Sequence, residues 1–383
     1  MDSNNYLGSF AQENVIFQTT VVQNSTYGDN FKRVMIFTEQ SLISDTDALV
    51  AVDGSDTVKV ATVTADSFAS VVTGILQSWL SDLFANGETE EVYLVVNGTD
   101  ALTTELQEAA YELLKAYAFW KTVCVPDTTT TEGETEGETD VAALDATRFN
   151  TLASALALLC ATDKQVLSGP VLAPLSDANP ANYASSPRYI ALKDKYVFMS
   201  YHQDATRNAA LYSVGLALAK TNASGTPIGN SLDMTKSNSI TSNGLSKTVR
   251  DVLKGAFIQT WKYVGDNSAY VGAVGDKALN GDVIGANWII AYVTYMTKVD
   301  VAVLMTTNNF YKNADNYAKI LGILGNRLTK FLGRLSQIQI TAPAYGALPE
   351  SASDELVIPD AWQATYIDHV RKVTISGTLY IGE

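Results

Sequence analysis

The chain has 383 residues, 46% of them hydrophobic, and a formal net charge of −15. That length provides for two or three domains with a large core. The acidic balance excludes binding of nucleic acid or anionic membrane by simple electrostatics. Two cysteines, Cys124 and Cys160, give neither a disulfide framework nor a C-x-x-C metal spacing, and their apolar settings predict buried, reduced thiols.

The opening "MDSNNYLGSFAQENV" lacks the basic and apolar regions of a secretory signal, so folding in a cytoplasm is expected. No run of about 18 uninterrupted apolar residues is present, so no membrane span is expected. "VIFQTTVV", residues 15–22, is β-branched and aromatic and predicts a strand. "RVMIFT", 33–38, is the continuous apolar run of a strand covered on both faces. "DTVKVATVTA" alternates and predicts a further strand. The stretch 67–87 carries Val71, Ile75, Leu76, Leu80 and Leu83 at helical spacing and ends on Asn86-Gly87. "EVYLVVNG" predicts a buried strand. A helix over 101–120 follows, capped by Thr99 or Asp100, and then a short strand over 122–125. Strand, helix, strand is a βαβ unit and implies a parallel sheet.

Residues 127–140, "DTTTTEGETEGETD", repeat Thr-Glu-Gly-Glu and bring Glu132, Glu134, Glu136, Glu138 and Asp140 together. The ligand order of a calcium loop is absent, and a solvated surface loop is expected. Helices are predicted around 141–161 and 207–220, with strands in "KQVLSGPVLAP" and "KYVFMSY" between them. The polar stretch 222–244 is the candidate domain boundary. Beyond it the spacing predicts a helix in "LSKTVRDVLKGAFI", hairpins with Gly-Asp and Asn-Gly turns, a buried helix over 288–306 and another helix in "ADNYAKILGILGNRLTKFLGRLSQIQI". "PAYGALPESASDELVIPDAW" reads as an extended linker. In the closing "HVRKVTISGTLYIGE", Val373, Ile375, Leu379 and Ile381 share one parity, as in a strand with one apolar face.

Catalytic constellations are scarce. Of the two histidines, His202 follows a predicted strand with Asp204 near it in sequence, and His369 precedes the terminal strand. No G-x-S-x-G elbow, no G-x-x-x-x-G-K-[ST] phosphate loop and no G-x-G-x-x-G after a strand occurs, so no catalytic residue, metal site or cofactor is expected. One feature runs against the charge balance. The segment 316–338, expected as helix, carries Lys319, Arg327, Lys330 and Arg334 and no acid, with the last three spaced +3 and +4. It reads either as the outward face of an amphipathic helix or as a basic rib facing an acidic protein partner. No aromatic platform accompanies it for nucleic acid.

Taken in order, "VIFQTTVV", "FKRVMIFTEQ", "SWLSDLFANGETEEVYLVVNG", "GTPIGNSLDM", "NWIIAYVTYMTKVDVAVLM" and "YIDHVRKVTISGTLYIGE" resemble the contractile tail sheath proteins of phages and related injection machines. The likeness covers most of the chain and is best from residue 245 onward. It implies a structural subunit of a virion tail, assembled in the host cytoplasm, with no nucleotide consumed. Such subunits form a homo-oligomer, a helical polymer of usually hexameric rings around the tail tube protein, with baseplate and tail terminator proteins at its ends. Contraction drives the tube through the host envelope. The resemblance implies strand contacts between subunits through extended terminal arms, here Val15, Phe17 and Val21 with Val373, Ile375, Leu379 and Ile381. It also implies a tube-facing helix, here Lys319, Arg327, Lys330 and Arg334.

The expected fold is a mixed α/β (α+β) chain with a βαβ-containing sheet domain and a C-terminal α+β domain. Its expected divisions are an N-terminal arm over 1–28, an α/β domain over 29–240, a tube-proximal domain over 241–360 and a C-terminal strand arm over 361–383. Two alternatives remain: another phage structural protein (tube or capsid), and a small-molecule enzyme using the βαβ domain around His202.

Overall fold

The computed structural model describes residues 29–85, 91–98, 101–115, 117–126, 146–163, 166–170, 187–202, 207–219, 236–237, 245–263, 271–307, 310–350 and 356–366. Seven strands form the main sheet: β1 (Val34–Thr38), β2 (Val50–Ala51), β3 (Val58–Val63), β4 (Val92–Asn97), β5 (Trp120–Cys124), β6 (Val166–Pro170) and β7 (Val197–Ser200), in the order β2-β3-β4-β1-β5-β6-β7. The five strands from β4 to β7 run parallel, with Val34 opposite both Val92 and Trp120. β3 and β2 add antiparallel at one end. The mixed α+β class expected from the sequence is therefore present.

Alternation along the strands divides the core. Val34 and Ile36 pack into one cluster, Met35 and Phe37 into the other. On the first face lie the short helix α1 (Phe68–Val71) and α2 (Gly74–Phe84). On the second lie α3 (Thr104–Leu114), α4 (Ala146–Asp163) and α5 (Pro187–Leu192). The buried helix α6 (Ala209–Leu218) returns to the first face, and α7 (Lys247–Gly255) buries Leu253 on the second. A parallel sheet covered by helices on both faces explains why β1 reads as an uninterrupted apolar run.

The second half of the chain adds β8 (Lys236–Ser237), β9 (Thr260–Tyr263) and β10 (Val271–Val274), ordered β8-β10-β9. The hairpin expected there is the antiparallel β9–β10 pair. It is followed by α8 (Ile284–Thr307), α9 (Ala314–Thr329), and the antiparallel pair β11 (Leu335–Ile340) and β12 (Trp362–Tyr366). Trp288 of α8 stacks on Phe119 at 6.1 Å and meets Trp120 edge-on at 5.2 Å, and Tyr292 meets Phe31 at 5.3 Å. One core cluster thus contains residues from both sides of position 240.

Three expected elements differ. The helix over 67–87 is broken, because Val72 and Thr73 are extended and Thr73 N–H donates to Leu42 O at 3.1 Å. Gly74, at φ +61°, restarts it. The helix expected over 101–120 is shorter: Thr103 caps it by accepting from Leu106 N–H, and β5 already begins at Trp120. The helix expected through 314–340 ends at Thr329. Gly333 takes φ +97°, Leu335 N–H returns to Phe331 O at 2.8 Å, and "LSQIQI" continues as a strand.

Candidate assembly interface

The early end of α9 dismantles the expected rib. Arg334 lies in the turn after the helix, so it does not extend a helical stripe. Arg327 points at α8, where its Nε and Nη2 donate to the two carboxylate oxygens of Asp300 at 2.6 and 2.7 Å. Burial alone would lower the Arg327 pKa, but the Asp300 bonds and charge outweigh it and the guanidinium is held above its usual range. Arg327 therefore locks α8 to α9, a fork-on-carboxylate geometry that a lysine would not reproduce. Lys319 is exposed and donates to Asn316 Oδ1 at 3.0 Å, and Lys330 is exposed at the helix end. The apolar stripe does hold: Leu324, Leu328, Phe331 and Leu335 are all buried, the last two from beyond the helix.

The same turn delivers β11 into a two-stranded ribbon. Leu335 pairs with Tyr366 and Ile340 with Trp362, with a bulge between Ser336 and Gln339. Its exposed side chains are tied across the strands by Gln363 Nε2 to Gln339 Oε1 at 2.8 Å and Thr365 Oγ1 to Gln337 Oε1 at 3.1 Å. Ile338, Trp362 and Ala364 rest on the core. Two strands alone are marginal in water, so this packing is what fixes the ribbon. Among the described residues neither outer edge of the ribbon meets a further strand, and on the β11 side Leu335 alone is engaged, by its bridge to Leu332. Each edge therefore presents main-chain donors and acceptors to a further strand. Residues 362–366, at the start of the segment expected as an arm, pair within their own chain. Val15, Phe17, Val21, Val373, Ile375, Leu379, Ile381 and His369 lie outside the described residues.

Of the residues singled out by catalytic reasoning, His202 falls at a polar junction between two helices. His202 is buried at 5% exposure beside Asp82, and Asp204 lies outside the described residues. Asp82 accepts from Arg207 Nε at 2.6 Å and from Asn208 N–H at 2.8 Å. Burial raises the Asp82 carboxyl above its usual range despite these donors. Asn208 in turn caps α6 by accepting from Leu211 N–H, so the cluster joins the end of α2 to the start of α6. An open groove of about 550 Å³ runs beside it, lined by Phe68, Gln77, Ser78, Ser81, Asp82 and Arg207, among others. Among the described residues no group of three or more His, Cys, Asp or Glu has metal-binding geometry. Cys124 and Cys160 are buried free thiols, as expected; burial raises both, Cys160 to about 12.

Sequence reasoning missed a buried network. Lys121 on β5 is fully buried, its Nζ donating to Ala118 O and lying 5.9 Å from the Tyr111 ring centroid. Burial lowers its pKa to about 7. Tyr111 Oη donates to the buried Asp163 at 2.7 Å. No local pattern marks Lys121, since its neighbours simply read as a strand.

α8 is long and apolar enough to cross a membrane by length and composition, over 23 residues from Ile284 to Thr306. Half of that window is buried inside the fold, against Phe31, Phe119 and Trp120. Its Asp300 is bonded to Arg327. This is the packing of a core helix.

The described elements thus define a helix-covered, mostly parallel α/β sheet joined to a helical hairpin that carries a two-stranded ribbon. The fold is similar to that of a chain in the cryo-EM structure of the anti-feeding prophage (AFP) baseplate, 6-fold symmetrised, with a TM-score of 0.59 over 96% of this chain and 97% of that one, at 10% identity. No family model and no curated protein matches the sequence.

Proposed function

We propose that this chain is a structural subunit of a contractile tail sheath, in which the β11–β12 ribbon receives the terminal arms of neighbouring subunits. The observation that carries the reading is the ribbon itself: two strands fixed to the core that meet no further strand among the described residues, on a body that shares its fold along almost its whole length with a chain of the AFP baseplate structure. β-Augmentation at such edges supplies main-chain hydrogen bonds for strength and alternating side chains for register. Val15, Phe17 and Val21, and Val373, Ile375, Leu379 and Ile381, are the proposed donor strands. Stacked rings, with the tail tube protein inside and the baseplate and terminator proteins at the ends, follow from the resemblance. The role is non-enzymatic and located in the virion tail.

Lys319 and Lys330 are the exposed members of the proposed tube-facing set. Arg327 supports that face by holding α9 against α8. A second reading, a subunit of the baseplate in the same kind of machine, is favoured by the source of the matched fold. Deleting residues 370–383 tests the arm assignment. The truncated chain is expected to fold but build no cylinders, whereas cylinders formed without these residues would overturn it. Co-expression with the tube protein separates the two readings: long cylinders support a sheath, discrete collars support a baseplate ring.

A further inference from the structure

The two ends of the main sheet carry opposite charge. At the β2–β3 end, residues 44–66 present five exposed aspartates, Asp45, Asp47, Asp53, Asp56 and Asp66, with Lys59 the one base among them. They are spread over the turn before β2, the β2–β3 hairpin and the exit of β3, around the strand that ends the sheet among the described residues.

At the β7 end three loops converge. Asn280 N–H donates to Lys195 O at 3.0 Å, Tyr189 Oη to Ala256 O at 3.4 Å, and Phe257 N–H to Lys254 O at 3.0 Å. Lys277 Nζ lies 5.4 Å from the centre of the Phe257 ring. These contacts gather Lys193, Lys195, Lys254 and Lys277 on one corner, and none of the four forms an ion pair with a carboxylate among the described residues. The exposed acids of the corner are Asp194 and Asp282. α7 extends the basic face with Lys247 and Arg250, and its Asp251 is bonded to Lys247 at 2.5 Å.

Seven strands span six intervals of about 4.8 Å, so the two charged ends stand about 29 Å apart. Each also carries an exposed aliphatic side chain amid its charges, Val50 at 67% exposure and Ile190 at 59%. An apolar centre with a charged rim is the composition of a protein–protein contact.

We propose that copies of this chain associate head to tail, the lysine corner beside β7 of one copy meeting the aspartate edge at β2–β3 of the next. In a chain of net charge −15, a second copy supplies the acidic surface that this corner fits. The contact is heterologous, so its repetition closes a ring or propagates a helix. It uses neither the ribbon nor the terminal arms and is separate from the strand-exchange reading.

The test uses the full chain in two charge-reversed forms. One carries Lys193→Glu, Lys195→Glu, Lys254→Glu and Lys277→Glu. The other carries Asp47→Lys, Asp53→Lys, Asp56→Lys and Asp66→Lys. Circular dichroism checks that both fold; Lys→Gln and Asp→Asn versions at the same positions replace any that does not, and with these the weakening of each form alone is the readout in place of the mixture. Sedimentation velocity at about 50 and 500 mM salt is expected to show wild-type association that weakens with salt. Each reversed form alone should associate at least about tenfold more weakly. An equimolar mixture of the two should recover association, because every contact again joins opposite charges. Wild-type chain that stays monomeric at low salt, reversed forms that associate as wild type does, or a mixture no stronger than its components would each overturn the proposal. Reversed forms that still build cylinders would sink this contact and leave the sheath reading standing. Recovery in the mixture without cylinders would do the opposite.

Discussion

The outer edge of β12 can be disabled by one substitution, Ala364→Pro. Thr341 N–H bonds to Ala361 O at 3.1 Å, so these residues form a hydrogen-bonded antiparallel pair. Alternation then makes Ile340 and Trp362 a non-bonded pair, and turns the N–H and C=O of Trp362 and Ala364 away from β11. Those four groups are the ones an added strand would use. At a net of about 1 kcal/mol each they contribute about 4 kcal/mol. Proline at 364 deletes one donor and leaves the incoming carbonyl without a partner, a loss of about 3 kcal/mol, or over a hundredfold in the contact. The fold should survive, because proline is tolerated on a strand edge and no bond to β11 is removed. Pelleting across a concentration series would show a critical concentration for polymerisation at least about tenfold above wild type, with far-UV circular dichroism unchanged. An unchanged critical concentration in a folded Ala364→Pro chain would refute the assignment of β12 as an acceptor edge.

Other perturbations test the architecture around this ribbon. Trp288→Ala empties the buried junction between α8 and the sheet and should cost about 3–5 kcal/mol in urea unfolding; a loss below about 1 kcal/mol would mean that the two halves do not share a core. Lys121 ionises at about 7 in the fold and at about 10.4 when unfolded, so above pH 7 the unfolded chain holds the extra proton and stability rises with pH. The rise should be visible from about pH 7 to 8.5, above which the two raised thiols oppose it, and Lys121→Met should be more stable at pH 6.5 and lack the slope. A slope unchanged in that variant would remove Lys121 as its cause. Lys319→Glu with Lys330→Glu should weaken assembly on the tube more than self-assembly; equal loss of both would end the tube-facing assignment.

Much of the sheet was legible because its signals are local. "RVMIFT" and "EVYLVVNG" are buried strands, and the helix between β4 and β5 sets those two strands parallel, one on either side of β1. The candidate interface was less legible. Phe331 and Leu335 continue the three- and four-residue spacing of α9 and remain buried, so periodicity alone carried the helix too far. The competing signals, Gly333 as a stop and the alternation of "LSQIQI", were present and were outweighed. Arg327 looked like a surface cation because its partner, Asp300, belongs to another helix 27 residues away. The break at Val72-Thr73 depends on a bond to Leu42, and the Asp82–Arg207–Asn208 anchor joins residues more than a hundred positions apart. Such long-range pairings leave no periodic trace in either segment.

The central claim, a subunit that builds a tail sheath, is tested most directly by negative-stain microscopy of the full purified chain. The account predicts hollow, transversely striated cylinders assembled from rings. Monodisperse monomers at high concentration, with the chain folded and intact, would contradict it.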